Sequence, residues 1–143
     1  MEHPELTAFR RKFRLKDLRI LDTAHWTWSV RTAQPTLGAT VLSLRRYAAS
    51  FADVTGDEMA DLASAVAAVE RATRGAFGYD KINYLMLMMV DPHVHFHVLP
   101  RYAAVQRFAD LDWEDRGWPA APSLAADPCP SEVLSAIQTA LRG

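Results

Sequence analysis

Hydrophobic and polar positions alternate over several short stretches of the chain. Trp26, Trp28 and Val30 interleave with Thr27, Ser29 and Arg31, the period-two pattern of a strand with one buried face. Gln34-Pro-Thr-Leu-Gly38 has the proline and glycine of a reversal, and Ala39 to Leu44 reads as the returning strand of a hairpin. Thr55-Gly-Asp-Glu58 has the spacing of a capping box. Behind it Met59, Leu62, Val66 and Val69 recur at helical steps, so a helix is predicted to run from Thr55 to the glycines at 75 to 78. Ile82 to Val90 is apolar almost throughout and reads as a central strand covered on both faces.

Asp91-Pro92 leads from that strand into His93-Val-His-Phe-His-Val-Leu99, where alternation returns in its strongest form. In an extended strand the three imidazoles line one face and Val94, Phe96 and Val98 the other. The expectation is a solvent-facing row of histidines over a buried apolar row. Beyond Arg101 the pattern breaks. Trp113 to Pro122 is too rich in turn formers for a regular element and reads as a loop or tail with Trp113 and Trp118 as anchors. A short helix from about Ser131 to Leu141, with Ser131 as its cap, closes the chain. The first sixteen residues carry Arg10, Arg11, Lys12 and Arg14 between Phe9, Phe13 and Leu15. They read as a solvated basic face, with an amphipathic turn lying on the body as the alternative.

Composition narrows the class. At 143 residues, half of them hydrophobic, the chain suits one domain over 1–143, with a core at about 15–102 and a tail at 103–143. A formal net charge of -1 argues against general binding to nucleic acid or an anionic membrane and for a small-molecule partner. Cys129 is the only cysteine, no secretory signal opens the chain, and the longest apolar run, Tyr84 to Val90, is too short to span a bilayer. The chain reads as soluble and cytoplasmic.

Three of the five histidines fall in the alternating motif, and strand propensity gives no reason for that. Imidazole, with an unperturbed pKa of about 6.5, is largely neutral near pH 7 and can attack phosphorus. Attack on a nucleotide α-phosphate yields a nucleotidyl-histidine that water then cleaves. Residues two apart on a strand lie roughly 6.5 Å from each other, about the span of a phosphate group. A metal site is the competing chemistry, since two histidines at i and i+2 can reach one zinc and His25 or His3 can join them. No cysteine or acidic cluster adjoins the motif, so neither metal nor cofactor is expected.

These residues resemble the histidine triad (HIT) family, whose signature alternates three histidines with apolar residues and ends in two more. His93 to Leu99 matches it without a mismatch, and Pro100-Arg101 follows as in the diadenosine polyphosphate hydrolase branch. The resemblance implies an α+β, HIT-like fold with an antiparallel sheet of about five strands and one main helix, usually paired as a homodimer. It also implies a metal-independent double displacement on a nucleotide. His95 is then the nucleophile, with His93 and His97 orienting it and contacting the phosphate and leaving group. Asn83 takes the place of an amide residue set against the phosphate, and Arg101 joins it as a substrate-binding candidate. Trp118, in a tail of the kind that closes over the site, is a candidate to stack on a base.

The chain also departs from the pattern. Leu87 to Pro92 stands where many members have Gly-Gln, Phe51 to Asp53 lacks a further histidine, and Arg31 stands near the place of a ribose-binding acid or amide. Arg31 is therefore a candidate phosphate contact. The resemblance leads to cleavage of a dinucleoside polyphosphate or related nucleotide. A nucleoside phosphoramidate hydrolase and a non-catalytic nucleotide-binding module are the alternatives.

Overall fold

A computed structural model describes residues 1–143. It begins with helix α1 (Pro4–Lys12), a single turn α2 (Leu15–Leu18) and strand β1 (Arg19–Asp22). The predicted hairpin follows as β2 (Trp26–Val30) and β3 (Thr40–Leu44), and the long helix as α3 (Gly56–Phe77). β4 (Lys81–Leu85) and β5 (His95–Arg101) complete an antiparallel sheet in the order β1-β2-β3-β5-β4. A second hairpin, β6 (Gln106–Phe108) and β7 (Leu111–Trp113), and helix α4 (Ser131–Arg142) make up the rest. This is the α+β architecture that the resemblance implies, a five-stranded antiparallel sheet with one main helix.

Register assigns the two faces. Trp26 pairs with Leu44, Trp28 with Leu42, and Leu42 in turn with Phe96. Directly opposed residues share a face, so these side chains point together into the main core. There they join Ala65, Val69 and Phe77 of α3 and Val133, Leu134, Ile137 and Leu141 of α4. The opposite face carries Thr27, Ser29, Val41 and Ser43, and then His95 and His97, because Ser43 pairs with His95 and Val41 with His97. α1 lies on this second face, where Phe9, Phe13 and Leu15 cluster on Val41. β2 and β3 are consequently buried on both faces rather than on one.

Local sequence explains the ends of the elements. The capping box forms as predicted: the Glu58 amide donates to Thr55 Oγ1, and the Glu58 carboxylate accepts from the Thr55 amide. Gly78, at φ 58, closes α3 in the left-handed region that glycine tolerates. In the β2–β3 turn Gln34 accepts from the amides of Gly38 and Ala39 and donates back to the Arg31 and Ala39 carbonyls, which fixes the backbone beside Arg31. Gly38 has φ +85, and a Cβ there would sit 2.8 Å from the Phe77 ring.

Four expectations need correction. The run Ile82 to Val90 is not a central strand: β4 stops at Leu85 and forms the sheet's edge. Beyond it Leu87, Met89 and Val90 are exposed; apolar content without period did not locate the strand's end. The region after Arg101 contains a hairpin, with only its later part irregular. Ser131 is the first residue of α4, not its cap; Pro130 holds that place without a side-chain hydrogen bond. The amino-terminal segment is more than a solvated basic face: it is a helix that buries Leu6 and Phe9 while Arg11 and Lys12 stay exposed, the amphipathic alternative. No helix is long and apolar enough to cross a membrane.

Candidate active site

β5 and the bend before it place His93, His95 and His97 side by side, with the His95 and His97 rings 5.0 Å apart at their centroids. The expected solvent exposure is not found, because α1 roofs the row. The Phe9 ring lies 5.0 Å from His93 and 5.1 Å from His95, and Phe13 lies 5.7 Å from His95. His93 and His95 are 1% and 2% exposed. On the far side of His93 the Tyr47 ring stacks at 5.5 Å, and His3, capping α1 through Nδ1, stacks on Tyr47 at 3.9 Å.

Hydrogen bonds assign the tautomers. His93 Nε2–H donates to the Leu44 carbonyl at 2.7 Å, and its Nδ1 accepts from the Ala48 amide at 3.3 Å, so both nitrogens are occupied and the ring is fixed. His95 Nδ1–H donates to the His93 carbonyl at 2.6 Å, leaving the Nε2 lone pair without a protein partner. His97 Nδ1 accepts from Arg31 Nε at 3.3 Å, which puts its proton on Nε2. All three pKa values lie below the ordinary histidine value, burial being the main cause; for His97 the neighbouring Arg31 adds to it and the pKa falls to about 4. The row is neutral at pH 7.

A cavity of about 290 Å³ opens onto His95 and His97 between the end of α1, the β2–β3 turn and the β4–β5 connection. Two cations face it. Arg31, its pKa lowered by burial, also donates to the Ala33 carbonyl. Lys12, from the end of α1, holds the Asp91 carboxylate at 2.8 and 2.9 Å. Met88 on the rim adopts φ 50, unusual for a residue with a side chain.

Sequence reasoning missed Lys12, Phe9, Phe13, Tyr47 and Asp91 as parts of this site. Only the four-residue spacing of Phe9 and Phe13 hinted that a helix face was turned inward. No group of three or more His, Cys, Asp or Glu side chains is arranged to hold a metal ion.

The other candidates gather elsewhere. Asn83 and Arg101 share the histidine face, but further along it, and with Trp118 they border a separate depression that includes no histidine. Arg101 donates Nε to Asp115 at 2.7 Å, Nη1 to Asn83 Oδ1 at 2.8 Å and Nη2 to the Ala120 carbonyl at 2.9 Å. Its side chain is 5% exposed and that of Asp115 is 1% exposed. Burial works against the Asp115 charge, yet hydrogen bonds from Arg101 and the Tyr102 amide hold its pKa below the usual carboxylate value. Arg101 thus pins the tail to the sheet, and the tail keeps Trp118 beside Asn83 instead of over His95.

The HIT domain model matches residues 16–104, well over half of the chain. The chain belongs to the HIT domain family. Its fold is similar to that of a hypothetical histidine triad nucleotide-binding protein from Sulfolobus tokodaii, with a TM-score of 0.72 at 17% identity, covering 98% of this chain and 89% of that one. A histidine triad protein from Bradyrhizobium japonicum matches with a TM-score of 0.68 at 23% identity, over 90% and 92% of the two chains. A zinc-bound histidine triad family protein from Mycobacterium smegmatis matches with 0.63 at 19%, over 94% and 91%. Among curated proteins no match is found. Membership in the HIT family suggests nucleotide binding, or hydrolase or transferase activity. In this HIT chain the matched region ends at Ala104, so β6, β7 and α4 lie outside it.

Proposed function

We propose that this protein cleaves a nucleotide at its α-phosphate through a nucleotidyl intermediate on His95. The observation that carries the reading is the tautomer of His95: Nδ1–H is held by the His93 carbonyl, so Nε2 is a neutral, unpaired nucleophile beside Arg31 and Lys12. The Nε2 lone pair forms a bond to phosphorus as the bond from phosphorus to the leaving group breaks. Water then attacks the phosphorus of the adduct, loses its proton to solvent, and returns His95 with release of a nucleoside monophosphate. Arg31 and Lys12 supply positive charge to the phosphoryl oxygens.

His97 bears on the leaving group. With a pKa of about 4 it is neutral, so in the free protein its Nε2–H offers a hydrogen bond and not a mobile proton. A phosphoanhydride leaving group departs as a stabilised anion and needs only that; an amine must be protonated. This favours a dinucleoside polyphosphate or related anhydride over a phosphoramidate. The roof of α1 favours a second reading, a nucleotide-binding module in which His95 reacts slowly or not at all, because substrate reaches Nε2 only through the cavity mouth or by a shift of α1.

β4 leaves a free sheet edge beside exposed Leu87, Met89 and Val90, which supports pairing with a second copy of the chain. The test of the function is release of nucleoside monophosphate from a panel of diadenosine polyphosphates, an adenosine phosphoramidate and a capped-type dinucleotide. Turnover of the anhydrides ahead of the phosphoramidate is expected. Binding without product over hours rejects catalysis in favour of the module.

A further inference from the structure

α1 has two flanks. One meets the histidines; the other forms a wall of a second cleft, about 710 Å³, whose floor reaches Thr27 of β2. Six of the chain's sixteen lysines and arginines line this cleft, against three carboxylates, in a protein whose formal net charge is -1. Each carboxylate is already engaged: Glu2 with Arg10, Asp17 with Arg14 and Asp22 with Arg19. Arg11, Lys16 and Arg45 remain without an acidic partner. Leu15 is the single hydrophobic residue of the lining, so the walls give a nucleobase little to stack on or pack against, whereas they suit a multiply charged anion.

The cleft belongs to the catalytic face. Thr27 pairs with Ser43 and Ser43 with His95, which sets the floor two strands, roughly 10 Å, from the nucleophile. Ser29, further along β2 on that same face, is fully buried, and its hydroxyl has no hydrogen-bond partner. A buried polar group left unpaired is costly unless something satisfies it. Here nothing from outside does: Ser29 borders neither cavity, and Phe9, Phe13 and Leu15 pack on Val41 between it and His97, so the cleft and the histidine cavity are separate openings on the two flanks of α1.

We propose that this cleft binds an oligophosphate, at a second anion site on the outer flank of the helix that covers His95. The inference goes beyond the reaction proposed above and adds a site that selects for charge and not for a base. α1 is then the shared wall: anion binding against Arg10 and Arg11 acts on the helix that covers His95, with Lys16 of α2 completing the site.

Titration calorimetry with inorganic tripolyphosphate at low salt tests the cleft without requiring turnover. The whole chain, the double variant Arg11→Glu/Lys16→Glu and His95→Asn are compared, with circular dichroism confirming that each is folded. The substituted pair is exposed and makes no side-chain hydrogen bond within the chain, so the fold should survive its change. Expected is salt-sensitive binding by the wild type and by His95→Asn, at least tenfold weaker in the double variant. Equal affinity in the double variant, or no binding by the wild type at millimolar tripolyphosphate, overturns the proposal. If binding behaves as expected while no nucleotide is hydrolysed, the cleft stands and the catalytic reading alone fails.

Discussion

The histidine face of β5 holds two buried polar clusters that differ in what they leave unsatisfied. At its far end Arg101 is saturated by Asp115, Asn83 and Ala120, and those partners make one closed network with the tail. At its near end His93 is equally closed, but His95 Nε2 has no partner, and Lys12 is held only by an ion pair whose lysine side chain is 53% exposed. A closed network holds structure together; an open nitrogen next to available cations is equipped for chemistry. The sequence offers both as site residues, His95 as the nucleophile and Arg101 as a substrate contact.

Removing the nucleophile makes the sharpest contrast between the clusters. His95→Asn keeps an amide donor for the His93 carbonyl and loses the lone pair, so turnover should fall by a factor on the order of 10⁴ or more with little change in melting temperature. Arg101→Met should do the reverse. It leaves Asp115 buried without its counter-charge, at a cost of about 3–5 kcal/mol, and frees the tail, while turnover per folded molecule stays close to wild type. Denaturant unfolding and initial rates on both variants check the pair; a mild Arg101→Met would erase the distinction.

Acid should act on the near end. Burial keeps the histidines neutral in the fold, whereas the unfolded chain binds protons below about pH 6.5. Their contribution to stability is therefore complete above that pH and is lost as pH falls towards about 4, the folded value of His97. Melting temperatures between pH 7 and 4 should decline, and less steeply in His97→Gln; parallel curves would count against a neutral buried row. The smallest effect concerns the ion pair at the cavity mouth. Lys12→Ala should raise KM several-fold by removing a phosphate contact, and Asp91→Asn should lower it by releasing the lysine. Stability should change by no more than about 1 kcal/mol in either, as for exposed pairs generally.

How far the sequence could be read depended on the range of the interaction. The β2–β3 hairpin and the capping box at Thr55 are short-range patterns, and each formed as expected, whereas the histidine strand formed from His95 with its imidazole face covered instead of solvent-facing. Arg101 meets a carboxylate fourteen residues away, beyond the β6–β7 hairpin, a pairing no local spacing records. The run to Val90 misled because its apolar residues outlast the strand and end exposed at the cavity rim. The basic run at Arg10 to Arg14 concealed Phe9 and Phe13 on its inner flank. There charge described one face of α1 and the aromatics the other, and only the fold showed that the aromatic face covers the histidines.

The most direct test is intact-mass analysis of protein quenched at neutral to alkaline pH after brief exposure to a diadenosine polyphosphate, with peptide mapping of any adduct. One added nucleoside monophosphate, located on His95 and absent from His95→Asn, is the result this account requires. An adduct on another residue, or undiminished hydrolysis by His95→Asn, would contradict it.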